Sequence, residues 1–458
     1  MKKILLPLCL VALLFCSCDD EDDNGKSNGA NASKIDKLVY DIMHDYYLWN
    51  EWMPTYKKGE NRDPNEYFET LLYSYEDKWS YISDDSDAEN AELAGTPYSM
   101  GYSPLFSYYK EENKVLIIVE YVYPGTPAEK AGLKRGDVIL TINGQWITDE
   151  NYIDLYNEES ATFGLGKIDF SVEPRKISLT GETLKAKAEI INADPSIYDT
   201  IFYVNEKPVG YYVFTQFNIG TRCTESMDVI FDRFKSAGVK DLILDLRYNG
   251  GGSLTTAEHL ASAIAPANVA NGKNVFFKYV YNNILNDYYN QNGGEANFVV
   301  NMPENEHNAD MENLYVLCTE NTASASELVT CGLMPYMNVK LIGTNTHGKY
   351  CGMISFDKNV IKELENWFLC PICFKYANSV GLTDFKNGLA PDYVVDDDIA
   401  NMLPFGDTND PMLATALDVI GAQPLTAKSA RRLPDGITVM GRDKSIVRNN
   451  LIVNGTLK

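Results

Sequence analysis

Apolar residues at Ile35, Leu38, Val39, Ile42, Met43 and Tyr46 recur at the spacing of one helical face, with Ser33 placed to cap it. A second helix is predicted from Asp63-Pro64-Asn65-Glu66, where Asp63 caps, Pro64 suits the first turn and Glu66 completes a capping box. Phe68, Leu71, Leu72 and Tyr75 then follow on one side, so residues 34–97 read as a helical domain. From Gly101 the period shortens to strands over 105–109, 115–121 and 138–142, the last closed by Asn143-Gly144, which predicts a β-rich module over 98–175. Beyond Val209 strands (209–215, 241–246, 314–317, 339–342) alternate with helices (225–237, 256–264, 325–337). Such alternation predicts an α/β core with parallel strands over 176–423, into which the β-rich module is inserted. The unbroken run Leu242-Ile243-Leu244 suits a strand covered on both faces. Residues 424–458 are polar and basic with little periodicity, a tail or an added edge.

The length of 458 residues accommodates about three such units. At the N-terminus Lys2 and Lys3 precede an apolar run from Ile4 to Phe15, too short for a resident membrane span, and then Cys16-Ser17-Cys18. Residues 1–17 resemble a bacterial lipoprotein signal, which implies cleavage before Cys18, acylation of that cysteine, and a lipid anchor in a cell-envelope membrane, with the outer membrane expected. Residues 18–33, acidic and then rich in Gly, Asn and Ser, read as a solvated tether. Forty Lys and Arg against 64 Asp and Glu leave a net charge of −24. No basic cluster interrupts it, which excludes nucleic acid as a partner. Six cysteines beyond Cys18 are too few for a dense disulfide framework, and Cys370-Pro-Ile-Cys373, in an apolar strand-like run, reads as buried thiols or a local bridge. Histidines are isolated and acids lack ligand spacing, so no metal or cofactor is expected; Asp396-Asp397-Asp398 reads as a solvated charge run.

Three clusters carry candidate chemistry. Asp245-Leu246-Arg247 runs into Gly250-Gly251-Gly252 before a helix, a turn whose amides can face a negative oxygen. It lacks the Lys-Ser/Thr ending of a phosphate loop. Ser324, flanked by Ala323 and Ala325, sits where a strand gives way to a helix; it can be a presented nucleophile or an ordinary helix cap. The loop Gly343-Thr-Asn-Thr-His347-Gly348-Lys349 offers two bases, His347 or a lysine whose pKa burial has lowered.

In order and spacing these clusters resemble the C-terminal processing peptidases, serine peptidases related to tricorn protease. The likeness rests on the Ser324 motif, Lys349 placed 25 residues later, Asp245-Leu-Arg with its glycines, and Asn387-Gly-Leu-Ala-Pro-Asp392, and it spans residues 34 to about 420. It implies Ser324 as nucleophile and Lys349 as general base. The oxyanion hole would come from the amides of Ala325 and of Gly250 or Gly251, with Gly251 favoured because many relatives carry proline at the place of Gly250. Several relatives place a glutamine four residues beyond the lysine; here Met353 stands there, so either Asn345 or Ser355 orients Lys349 or the enzyme is slow or inactive. Gly125–Leu133 with Arg135-Gly-Asp137 and Ile142-Asn-Gly144 resembles a PDZ domain, which adds peptide strands at a sheet edge. Its carboxylate loop would fall at Gly101-Tyr102-Ser103, although Ser103 replaces a glycine and Pro104 removes a donor. The expected function is therefore an exported, lipid-anchored serine endopeptidase acting on unfolded or C-terminally exposed polypeptides. The alternative is a non-catalytic peptide- or ligand-binding lipoprotein that keeps the fold; a surface scaffold or glycan binder would rest on aromatic counts alone.

Overall fold

The computed structural model describes residues 27–57, 63–169, 171–172, 176–425, 433, 436–442 and 452–454. The signal segment, Cys18 and the first part of the tether lie outside the described residues. Helix α1 (Ser27–Tyr46) begins six residues before the cap expected at Ser33, so the second half of the expected tether is helical, with Ala30 and Ala32 supplying helix propensity. Val39, Ile42 and Met43 are buried as their spacing requires. Helix α2 (Pro64–Leu71) is capped by Asp63, whose carboxylate accepts from the amides of Asn65 and Glu66, and Leu72 leaves the helix in extended backbone. A third helix, α3 (Ser86–Leu93), was not legible in the apolar pattern: it buries Leu93 but is otherwise polar, and is started by Asp85 accepting from the Ala88 amide at 3.0 Å.

The β-rich module comprises β1 (Tyr102–Tyr109), β2 (Lys114–Val122), β3 (Val138–Ile142), β4 (Ser160–Asp169) and β5 (Lys176–Lys187), antiparallel neighbours in that order. It is longer than expected. Strand β5 pairs with β4 from Asp169 opposite Lys176 to Ser160 opposite Lys187, so residues 176–187 belong to this sheet and not to the α/β core. Period-2 alternation sorts its side chains into two cores: Phe106, Val115, Ile117 and Val119 face one, Leu105, Tyr109, Leu116 and Ile118 the other.

In the α/β core, β6 (Ser196–Val204) runs antiparallel to β7 (Lys207–Phe214), followed by helix α4 (Thr221–Ser236), β8 (Asp241–Asp245) and helix α5 (Leu254–Ile264). After β9 (Val275–Tyr281) and β10 (Val299–Asn301) come β11 (Asn313–Cys318), helix α6 (Ala325–Leu333) and β12 (Asn338–Gly343). Next are β13 (Cys351–Ser355), β14 (Ile372–Asn378), β15 (Tyr393–Val394) and helix α7 (Pro411–Ile420). The main sheet has the order β6-β7-β8-β11-β12-β15, parallel from β7 onward. As expected, β8 is covered on both faces. Leu242 and Leu244 join the large core that includes residues of α4, α5 and α6, whereas Ile243 faces Met412, Leu413 and Ala416 of α7. A second sheet, β10-β9-β14-β13, was not foreseen; its strands are buried in patches that short-range periodicity does not separate from loops.

The C-terminal residues form added edges at two places. β16 (Ile437–Arg442) pairs antiparallel with β1, and β17 (Ile452–Asn454) pairs parallel with β13.

A buried ion cluster joins the parts. Arg247, 1% exposed, binds Asp245 through Nε and Nη2, Asp397 at 2.9 Å, and Asp410 through both terminal nitrogens at 2.9 and 3.1 Å. Asp397 also accepts from Tyr248, whose hydroxyl receives Arg135 Nη1 of the β-rich module at 2.9 Å. The expectation that Asp396–Asp398 is a solvated run is thus corrected: the Asp397 side chain is 8% exposed and Asp398 is buried. Asp397 is drawn inside by two arginines distant in sequence, which no local pattern announces, while Asp396 remains exposed as expected.

Candidate active site

The three clusters meet at the carboxyl ends of β8, β11 and β12, where the loops of a parallel sheet leave room for a ligand. Ser324 caps α6 with φ 59° and ψ −108°, a left-handed conformation that costs a non-glycine residue about 1–3 kcal/mol. Of the two readings of the sequence, the helix cap is the one observed, and its strained backbone leaves the nucleophile reading open to proposal. Gly251 lies directly against it: a Cβ there would stand 3.0 Å from Ser324 Cβ, Ala325 N and Ala323 O, so any side chain would press on Ser324.

Ser324 and Lys349 are both fully buried and are tied together by two shared partners. The Glu327 carboxylate accepts from the Ser324 amide at 2.8 Å and the Lys349 amide at 2.9 Å. It also accepts from Gly348 at 2.7 Å and the Thr346 hydroxyl at 2.5 Å. Burial pushes Glu327 up to about 7, opposed by these four donors, which favour its ionised form. The Tyr376 hydroxyl, fully buried, points its single proton between the carbonyls of Lys349 at 2.8 Å and Ser324 at 3.2 Å. Sequence reasoning missed both residues. Glu327 was findable as the fourth residue of Ser324-x-x-Glu, the reciprocal capping pattern; nothing local marks Tyr376.

Loss of hydration on burial lowers the Lys349 amine from 10.5 to about 8, outweighing the opposite pull of neighbouring groups that include Asp77 and Glu327. Its Nζ lies 3.2 Å from Met353 Sδ, a weak acceptor, and 5.8 Å from the centre of the Trp79 ring. Met353 thus lies within reach of the Lys349 amine, four residues beyond it in the chain. Asn345 is turned away, its Nδ2 donating to the Asn387 carbonyl at 3.1 Å, and Ser355 is buried at the far end of β13. His347 is no rival base: Trp79 Nε1 donates to its Nε2 at 3.2 Å, and its Nδ1 faces the Glu320 carbonyl at 3.1 Å.

Ala325, named above as an oxyanion donor, opens the first turn of α6. The Gly251 amide, favoured as the second donor, is instead given to Asn249 Oδ1 at 2.9 Å. Gly250, at the less buried start of the turn, is the donor left by this arrangement. The later motif acts as a buttress. Asp392 receives Lys340 and the Leu341 amide, and Leu389 N donates to Thr346 Oγ1 at 2.7 Å. Gly388 passes so close that a Cβ would stand 2.0 Å from Thr346 O.

At the loop expected to hold a carboxylate, polar groups are already engaged. Gly101 N donates to Ser99 Oγ at 3.0 Å and Ser103 Oγ to the buried Glu120 at 2.9 Å, while Tyr102 is paired opposite Val122. The adjoining cavity of about 280 Å³ is lined by tyrosines together with Glu92, Glu158 and Glu159, a poor setting for an anion. All six described cysteines are free and buried. Among the described residues no cluster of metal-ligating side chains occurs, and no helix is long and apolar enough to cross a membrane.

A parallel α/β core with an N-terminal helical region and an inserted β-rich module is the fold of the S41 peptidases. Family models agree: "Peptidase family S41" matches residues 208–395, "Peptidase S41 N-terminal domain" residues 34–81, and "PDZ domain" residues 118–156. The chain belongs to the S41 peptidases that carry an N-terminal domain and a PDZ domain. It is 27% identical over 328 residues to the carboxy-terminal processing protease CtpA of Bacillus subtilis, covering 71% of this chain and 62% of that one. It is 25% identical over 383 residues to the chloroplastic C-terminal processing peptidase of Tetradesmus obliquus, covering 80% of this chain and 76% of the other. The solved structure of an S41 protease from Bacteroides fragilis superposes with a TM-score of 0.71 at 26% identity, covering 84% of this chain and 97% of that one.

Replacing Glu327 by glutamine is expected to lower kcat/KM by about 100-fold, because one amide NH2 must then face backbone donors. Steady-state kinetics of the folded variant test this. An unchanged rate would show that Ser324 and Lys349 keep their places without the shared carboxylate.

Proposed function

We propose that this protein is an exported serine endopeptidase, lipid-anchored through Cys18 to a bacterial cell-envelope membrane, that cuts unfolded or C-terminally exposed polypeptides with a Ser324/Lys349 pair. The observation that carries the reading is the fully buried lysine, lowered to about 8 and held with the strained Ser324 by one carboxylate. Neutral Lys349 takes the proton as Ser324 Oγ attacks the scissile carbonyl; the ammonium then protonates the departing amine, and water resolves the acyl-enzyme by the same route in reverse. The Ala325 and Gly250 amides supply donors to the tetrahedral oxygen. The apolar N-terminal run and Cys18 support export and anchoring.

One feature favours a second reading, a binding protein that keeps the fold: Met353 stands where relatives place an orienting glutamine, and a thioether steers an amine weakly. The test is hydrolysis of an unfolded protein such as reduced, carboxymethylated casein by soluble chain starting near Ser33, with binding followed in parallel. Peptide fragments ending at defined bonds support the peptidase; saturable binding without fragments, across pH 6–10, selects the binding protein. Membrane partitioning of the full chain, lost on Cys18→Ala, tests the anchor.

A further inference from the structure

β1 has two edges. One pairs with β2, and the other is the edge on which an incoming peptide would be added next to the Gly101 loop. That second edge is filled by the chain itself. β16 lies along it from Ile437 opposite Tyr109 to Arg442 opposite Leu105, antiparallel, so that its C-terminal end points toward Gly101. This is the direction a C-terminal ligand would take.

Two side chains fix the strand. Ile437, 8% exposed, enters the core formed by Leu105, Tyr109, Leu116 and Ile118. Arg442 contacts both oxygens of Glu120, a fully buried carboxylate that also receives Ser103, with Nε–O distances of 2.8 and 2.9 Å. From the same guanidinium Nη1 donates to Asn321 Oδ1 at 2.6 Å, three residues before Ser324, and the Tyr248 ring lies 6.0 Å away. One arginine thus clasps the PDZ module to the nucleophile loop. Ten residues after Arg442, Ile452–Asn454 pairs with Cys351–Ser355, the strand that follows Lys349.

We infer that the C-terminal segment is an internal strand ligand. It occupies in cis the PDZ edge open to polypeptides, with Arg442 on Glu120 as its anchor, and an extended segment bearing an apolar residue and an arginine five positions later displaces it. This rests on the reading of the protein as acting on polypeptides and adds a ligand class: basic, internal-strand segments in place of a free carboxylate, matching a module whose buried anchor is acidic and whose loop amides are engaged.

The test uses the full-length chain carrying Ser324→Ala, so that no peptide is consumed, and a labelled synthetic peptide of residues 436–445. Introducing Arg442→Ala is expected to tighten binding of the peptide by about tenfold, and the same peptide with alanine for its arginine should bind that variant about tenfold more weakly. Hydrogen exchange of β1 amides should rise in the variant and fall again with peptide. Because Arg442→Ala leaves Glu120 buried without its cation, the unmutated tail is tested as well: millimolar peptide should raise exchange in residues 437–442. Equal binding by both proteins, indifference to the peptide's arginine, or unaltered exchange in β1 and β16 overturns the inference. These readouts do not depend on hydrolysis. Displacement in a protein that never cuts would support the strand ligand while removing the peptidase reading, and cutting without displacement would do the reverse.

Discussion

Replacing Lys349 by methionine, or Ser324 by alanine, is expected to lower kcat/KM for an unfolded substrate by about a thousandfold or more while leaving substrate binding within about twofold. The lysine argument is electrostatic. An amine at its ordinary 10.5 would be neutral in only about one molecule in a thousand at pH 7.5, whereas one lowered to about 8 is neutral in roughly a quarter. Wild-type kcat/KM should therefore rise with pH through about 8 and level off above it. Met353→Gln, which gives the ammonium a better acceptor, should move that limb upward. Stability supplies a second check. Between about 8 and 10.5 the unfolded chain binds a proton at Lys349 that the folded chain does not, so stability rises with pH across this window, and Lys349→Met should flatten that rise. A flat rate profile from pH 6 to 10, or full activity in Lys349→Met, would remove the lysine from the mechanism.

Arg247→Leu should cost about 3–5 kcal/mol, since it strands Asp245, Asp397 and Asp410 in an interior without their common cation. Asp410, although burial pushes it upward, is held below the usual carboxylate range by Arg247. Its contribution is present above pH 4 or so and is lost as pH falls through the depressed value, so the wild type should lose more stability than the variant on acidification. Guanidinium unfolding at pH 7 and pH 3.5 measures both. A loss under about 1 kcal/mol would mean that the carboxylates find water once the arginine is gone.

The α/β core and its module were legible because each strand there obeys a simple rule. Leu242-Ile243-Leu244 is apolar throughout because helices cover both faces, and residues 115–119 are apolar throughout because two small cores flank one sheet. That the Ser324 turn and the Lys349 loop come together was legible through spacing and likeness. What stayed hidden was held by partners far away in sequence. Asp397 is buried by arginines at 135 and 247, Tyr376 joins two carbonyls from the second sheet, and the 437–442 strand takes its place from β1 and Glu120. A charge run or a polar tail carries no local mark of such partners. The extent of β5 was misjudged for a related reason: both its faces are largely exposed, so its alternation does not separate inside from outside.

The backbone of Ser324 has an implication for the history of this chain. A residue held at φ 59° and ψ −108° is one that glycine would relieve, so Ser324→Gly should yield a folded protein more stable than the wild type, by an amount on the order of 1 kcal/mol. In a protein selected only to bind, the most favourable drift at this position is toward glycine, and it can be reached by single-nucleotide exchange from a serine codon of the AGC or AGT type. On the peptidase reading proposed above, the strain at Ser324 is the cost of presenting its hydroxyl, and Ser324→Gly would be the more stable and inactive form.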